Sequence, residues 1–98
     1  MNVEYSKEFE KAVRKLSGKK LNSVKEAILE VKAADNVNQL TDCKKLVGFH
    51  HVYRLRIGDL RAFFIIRIES DRVSFEYLVP RSEAYLKKTT DQLKRKDK

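Results

Sequence analysis

Val52-Tyr-Arg-Leu-Arg-Ile-Gly-Asp-Leu-Arg-Ala-Phe-Phe-Ile-Ile-Arg-Ile68 is the stretch on which the fold turns. Two β-branched and aromatic runs, Val52 to Ile57 and Leu60 to Ile68, flank Gly58–Asp59. A Gly-Asp pair between such runs is a two-residue hairpin signal. The loop then pairs Ile57 with Leu60, Arg56 with Arg61 and Arg54 with Phe63. A third run, Val73 to Val79, follows the Glu69–Arg72 loop and is closed by Pro80. A tight loop there pairs Ile68 with Val73 and Ile66 with Phe75. The same register puts Tyr53, Leu55, Ile57, Leu60, Ala62, Phe64, Ile66, Ile68, Val73, Phe75, Tyr77 and Val79 on one apolar face, because side chains alternate along a strand.

Upstream the period is helical rather than two. Val3 to Tyr5 reads as a short strand, and Ser6 stands at an N-cap with Glu8 in the first turn. Phe9, Ala12, Val13 and Leu16 recur at helical spacing up to a stop at Gly18, and Leu21, Val24, Ile28 and Val31 form a second stripe. The short break between them implies an antiparallel helical hairpin. The fold class expected is therefore α+β. An N-terminal short strand and an antiparallel helical hairpin pack on one face of a twisted, mainly antiparallel sheet in the order β-α-α-β-β-β. Residues 1–88 form the domain, and 89–98, rich in Lys, Asp and Thr with only Leu93 to bury, form a basic tail expected to be frayed or disordered.

The second face of the sheet carries Arg54, Arg56, Arg61, Phe63, Ile65, Arg67, Ser74, Glu76 and Leu78. Arg56 and Arg61 lie opposite each other, where like charges cost roughly 0.2–1 kcal/mol. Either the long side chains splay into water, or a phosphate sits between them, which guanidinium forks grip in pairs. Phe63, Ile65 and Leu78 leave an apolar patch there, covered by the segment around Leu86 or by a protein partner. Arg67, far along its strand and near Glu76, reads as structural.

Composition agrees with an anionic partner. The 98 residues carry a formal net charge of +8, with 42% hydrophobic and 37% charged residues. Such a chain attracts nucleic acid, acidic protein or anionic membrane. Membrane is disfavoured, since no apolar run approaches the ~20 residues of a spanning helix. The charged start carries no secretory signal, so a cytoplasmic location is expected. The lone Cys43 reads as a half-buried small hydrophobe, and no His/Cys cluster suggests a metal. His50 and His51 serve as surface or packing groups, or as an acid or base; alternation back from Arg54 makes His50 the better candidate. Tyr5, Tyr53 and Tyr77 read as sheet or core residues.

Lys45–Leu46 and Gly48, Tyr53-Arg-Leu-Arg-Ile-Gly-Asp-Leu-Arg61, and Arg81-Ser-Glu-Ala-Tyr85 together resemble the RelE/ParE superfamily of bacterial type II toxin–antitoxin toxins, over about residues 1 to 88. The resemblance implies a toxin neutralised by a cognate antitoxin. In the RelE-like branch it implies an endoribonuclease that cleaves mRNA in the ribosomal A site, and in the ParE-like branch a gyrase poison without nuclease activity. An inactive relative that only binds RNA or an antitoxin is the remaining alternative. DNA would be engaged only indirectly, through the antitoxin complex, and no cofactor is implied.

Residue by residue, Arg54 and Arg56 match the family's paired basic residues, Arg61 the arginine at the scissile phosphate, and Arg81 and Tyr85 the C-terminal motif. Metal-free RNA cleavage needs a base for the 2′-OH, positive charge around the phosphorane and an acid for the leaving 5′-oxygen. The resemblance puts Arg61 and Arg56 on the phosphate, Tyr85 as base or stacking platform, and Arg81 on the leaving side. Arg54 binds substrate and lowers the pKa of Tyr85, and His50 is a further substrate-binding candidate. Val79–Pro80 departs from the family pattern, and Pro80 removes a backbone donor beside Arg81.

Overall fold

The computed structural model describes residues 1–67, 69 and 71–97. Its elements are β1 (Asn2–Tyr5), α1 (Lys7–Arg14), α2 (Gly18–Ala33), β2 (Cys43–Lys45), β3 (Val52–Ile57), β4 (Leu60–Arg67), β5 (Arg72–Pro80) and α3 (Lys87–Lys96). Short 3₁₀ turns occupy Val37–Gln39 and Arg81–Glu83. One five-stranded sheet runs in the order β1-β5-β4-β3-β2, with β1 parallel to β5 and the other pairs antiparallel. The architecture is the expected α+β class, with the helical hairpin on one face.

Ser6 caps α1 as its position requires: Oγ accepts the Phe9 N–H at 3.0 Å and donates to the Glu76 carbonyl at 2.6 Å. That second bond fastens the start of the helix to β5. Glu8 and Glu10 in the first turn, with Lys11 and Arg14 in the last, complement the helix dipole. The helix ends at Arg14, before Gly18, which instead opens α2. Phe9 then stacks between Tyr5 and Phe75, at centroid distances of 5.8 and 5.0 Å. Val24 and Val31 of α2 are fully buried over the same face.

The β3–β4 hairpin has the expected register, Ile57 with Leu60, Arg56 with Arg61 and Arg54 with Phe63. The left-handed φ falls on Gly58, at +58°, where a two-residue turn of this kind demands it. The β4–β5 register departs from expectation. Ile66 pairs with Val73 and Phe64 with Phe75, two residues away from the tight-loop pairing. An even slip keeps every side chain on its own face. The placement of Ile68, expected opposite Val73, lies outside the described residues.

A bulge then changes the parity. Phe64 pairs with Phe75, but Phe63 pairs with Tyr77, so Glu76 is the extra residue on β5. Beyond it the faces exchange. Leu78 joins the core under the helices, whereas Tyr77 and Val79, expected there, pack on the opposite side. Strict alternation fails because one strand residue goes unpaired.

That opposite side is a second core, not a bare face. Leu46, Val52, Phe63, Ile65, Ala84 and Leu93 are buried together, flanked by Phe49, Tyr77 and Val79. Its cover is α3. In the segment 89–98, expected to be a frayed tail, residues 89–96 belong to α3, with Leu93 fully buried and Thr89 buried. Lys96 supplies the anchor. Its Nζ lies 2.8 Å from the buried Glu76 carboxylate, 3.5 Å from that of Glu8 and 4.8 Å from the Tyr77 ring centroid. Ser74 Oγ donates to the same Glu76 carboxylate. Arg67, expected near Glu76, pairs with Glu4 instead, at 3.9 Å, beside Arg72 at 3.4 Å.

Candidate functional site

The site lies at the hairpin end of the second face, beyond the reach of α3's buried side chains. It begins with Gly58. The turn aims the Gly58 and Leu60 carbonyls at Arg61, whose Nη1 donates to them at 2.8 and 2.9 Å. Arg61 is held by its own hairpin and is only 7% exposed. Arg56, exposed, stands directly across the strand pair, and Arg54 lies two residues back on the same face of β3.

The 3₁₀ turn after β5 brings up the rest. The Arg81 N–H donates to the Asp59 carbonyl at 2.7 Å, so this residue is pinned to the hairpin tip despite following Pro80. Four residues on, Tyr85 sets its ring edge-on to Phe63, with centroids 6.4 Å apart, and remains 60% exposed. The charge of Arg61 registers the cluster. Its pKa is lowered by burial first, then by Arg56, Arg54 and Arg81, while Tyr85 acts in the opposite sense. Five of the residues singled out from sequence, Arg54, Arg56, Arg61, Arg81 and Tyr85, are thus brought together.

His50 is not among them. It lies in the loop before β3 and is not among the groups that act on the charge of Arg61. The backbone N–H groups of His50 and His51 donate to the Asp97 carboxylate at 2.6 and 2.8 Å, which ties this loop to the end of α3. Cys43 has its thiol pKa raised to about 11 by burial, only partly offset by Arg54, which favours the protonated thiol near neutral pH. Among the described residues, no group of three or more His, Cys, Asp or Glu could hold a metal ion. None of the helices among them is long and apolar enough to cross a membrane.

Two features of the site had little or no signal in the sequence. Lys44 lies directly opposite Arg54, on the short strand β2. Three residues are too few to display a period, so only the Lys44–Lys45 charge pair hinted at it. The second is a cleft of 340 Å³ between the β2–β3 loop and α3, lined by Lys44, Lys45, Leu46, Val47, Phe49, Arg54, Tyr85 and Thr90. Arg54 Nε is shielded from solvent and has no hydrogen-bond partner among the described residues. An unmet buried donor costs about 1–3 kcal/mol, more when charged.

Clustered guanidinium groups, of which that of Arg61 is held by backbone carbonyls, suit anions with oxygen acceptors in a plane or fork. The molecule is therefore of the class of small α+β proteins with a cationic site carried on the sheet. Comparison with known proteins makes the class specific. The chain is 30% identical over 86 residues to Toxin RelE3 of Methanocaldococcus jannaschii, covering 87% of this chain and 96% of that protein. The chain belongs to the RelE toxin family.

Solved structures agree. The RelB–RelE antitoxin–toxin complex of Methanococcus jannaschii contains a chain that superposes with a TM-score of 0.70 at 26% identity, covering 83% of this chain and 93% of that one. The archaeal RelE–RelB complex of Pyrococcus horikoshii gives the same TM-score at 24% identity, over 85% and 97% of the two chains. No family model matches the chain.

Proposed function

We propose that this RelE-family toxin is a ribosome-dependent mRNA endoribonuclease of the cytoplasm, held inactive by a cognate antitoxin. The observation that carries the reading is Arg61. Its guanidinium is buried, locked to two turn carbonyls and surrounded by three further arginines. Such a centre is electrostatically unfavourable alone and becomes favourable around a pentavalent phosphorane, which carries more negative charge than the ground-state diester. Membership of the RelE toxin family supports the reaction class proposed. The structures of related toxins in complex with RelB support an antitoxin as partner.

In the proposed reaction the 2′-oxygen of the substrate loses its proton, attacks the adjacent phosphorus and expels the 5′-oxygen, which takes up a proton. The products are a 2′,3′-cyclic phosphate and a free 5′-hydroxyl. Arg61 and Arg56 stabilise the phosphorane. Tyr85 accepts the 2′-OH proton or stacks on a neighbouring base. Arg81, tied to the hairpin tip, holds the leaving side electrostatically. Proton donation by an arginine would demand a pKa shift of many units, so its role is charge rather than acid.

Expression of wild-type protein and of Arg61→Ala, Arg81→Ala and Tyr85→Ala, followed by mapping of mRNA 5′ ends, tests the assignment. Cleavage in wild type and its loss in the variants is expected. Undiminished cleavage in all three would remove the site, and arrest with DNA breaks and intact mRNA would transfer the function to gyrase.

A further inference from the structure

We infer that Phe63 positions Tyr85 for the reaction: a buried ring on β4 sets the direction of an exposed ring that the backbone alone leaves free to turn. The inference rests on the nuclease reading above. It adds a residue that acts through Tyr85 without touching the substrate.

The backbone settles only where the Tyr85 side chain starts. Tyr85 follows the 3₁₀ turn Arg81–Glu83, where the Ala84 N–H donates to the Arg81 carbonyl at 3.3 Å and the Leu86 N–H to that of Glu83 at 3.4 Å. Ala84, buried in the second core, seats this turn. The Thr89 hydroxyl, from the first turn of α3, donates to the Glu83 carbonyl at 3.3 Å. These bonds fix the Tyr85 Cα and leave both of its side-chain torsions open, in a residue that is mostly exposed.

The ring itself meets Phe63. The two centroids are 6.4 Å apart with the planes at 80°. Perpendicular pairs at this separation set the positive edge of one ring against the negative face of the other. Such a contact has a preferred direction, which an aliphatic side chain filling the same space lacks. Phe63 is fully buried and lies in a cross-strand row between Arg54 on β3 and Tyr77 on β5, so its own ring has no freedom to follow Tyr85.

Phe63 also stands two residues from Arg61 on the same face of β4, about 6.8 Å along the strand. One rigid strand thus carries both the guanidinium assigned to the phosphate and the surface that directs the Tyr85 ring. In this pose Tyr85 is near enough to act on the charge of Arg61. A misplacement of about 1 Å between reacting groups costs about a hundredfold in rate, so a shared strand is a means of holding the relation. A ring at position 63 serves the second core as packing and the reaction as a guide.

A double-mutant cycle on the full chain separates the two roles. Phe63→Leu keeps an apolar side chain in the core and removes the ring. In single-turnover cleavage of mRNA on programmed ribosomes it should lower the maximal rate about tenfold or more, with the half-saturating concentration little changed. In a Tyr85→Ala background the same substitution should change the residual rate by less than about twofold, because nothing remains to be positioned. Ile65→Val, in the same core, should lower the thermal midpoint and leave the rate within about twofold. An equal loss from Phe63→Leu in both backgrounds, or a matching loss in Ile65→Val, would overturn the inference. The Hα–Hβ couplings of Tyr85, which report its first side-chain torsion, give a readout independent of cleavage. They should show one rotamer in wild type and averaging in Phe63→Leu. Averaged couplings in wild type, or a single rotamer in Phe63→Leu, would also overturn it. A wild type that cleaves no mRNA removes the nuclease reading, and the couplings then decide the positioning alone.

Discussion

Replacing Lys96 should destabilise the fold far more than neutralising its partner Glu76. The two form a 2.8 Å ion pair in which the Glu76 side chain is 5% exposed and that of Lys96 is 29% exposed. In Lys96→Met the apolar stem stays over Tyr77, but a buried carboxylate loses its cation. Breaking a fully buried pair costs about 3–5 kcal/mol. Partial exposure of Lys96 and the remaining Ser74 hydroxyl bond reduce this to about 2–3 kcal/mol. In Glu76→Gln the amide keeps hydrogen-bonding capacity, and Lys96 retains both solvent and Glu8, for a cost of about 1 kcal/mol. With an m-value of about 1 kcal/mol/M for so short a chain, urea unfolding should place Lys96→Met about 2–3 M below wild type and Glu76→Gln about 1 M below.

A pH arm sharpens the test. Burial alone would lower the Lys96 pKa, but the hydrogen bond and charge of Glu76, with Tyr77 and Glu8, outweigh it and raise it above the ordinary 10.5. A raised pKa in the folded state gives stability that is complete below 10.5 and disappears as pH rises through the higher folded value. The gap between wild type and Lys96→Met should be constant near neutrality and narrow only above about pH 10.5. A Lys96→Met cost below about 0.5 kcal/mol, or one smaller than that of Glu76→Gln, would refute the view of Lys96 as the anchor of α3.

Three further outcomes are expected. A Cβ at Gly58 would meet no atom within 4 Å, so Gly58→Ala should cost about 1 kcal/mol through its positive φ alone, read as a shift in the thermal midpoint. If three or four cations of the cluster engage phosphates, log affinity for a short single-stranded RNA should fall against log salt with a slope of about −2 to −3, and Arg56→Ala should reduce that slope by about 0.7. Cys43, its thiol pKa raised to about 11, should alkylate with iodoacetamide at pH 8 much more slowly than an unfolded-chain cysteine, and unfolding in urea should restore the rate.

Legibility in the sequence followed the range of the interactions involved. The β3–β4 register could be read because a two-residue turn leaves one pairing, and Gly58 carries the conformation that turn requires. From it came Arg56 opposite Arg61 with Arg54 alongside. The longer loop before β5 allows several registers, and the bulge at Glu76 is set by Ser6, Ser74 and Lys96, residues up to 70 positions away. Helix α3 escaped notice because one leucine among lysines and threonines gives no stripe; what orders it is the surface beneath it. Arg81 and Tyr85 were placed by family resemblance, and the Arg81–Asp59 bond and the Tyr85–Phe63 contact give the physical means.

The extra residue at Glu76 acts on the sheet as a frameshift acts on a message. Upstream of it, β5 turns Val73 and Phe75 toward the helices; downstream, the same alternation is read in the other frame, and Leu78 takes that side. Deleting Glu76 would leave a regular strand in which Tyr77 follows Phe75, so Tyr77, Leu78 and Val79 would keep their faces and their partners Phe63, Ala62 and Arg61. What the extra residue adds is its carboxylate: without it α3 would lose the partner of Lys96, while the strand that carries Arg81 to the hairpin tip would keep its pairing.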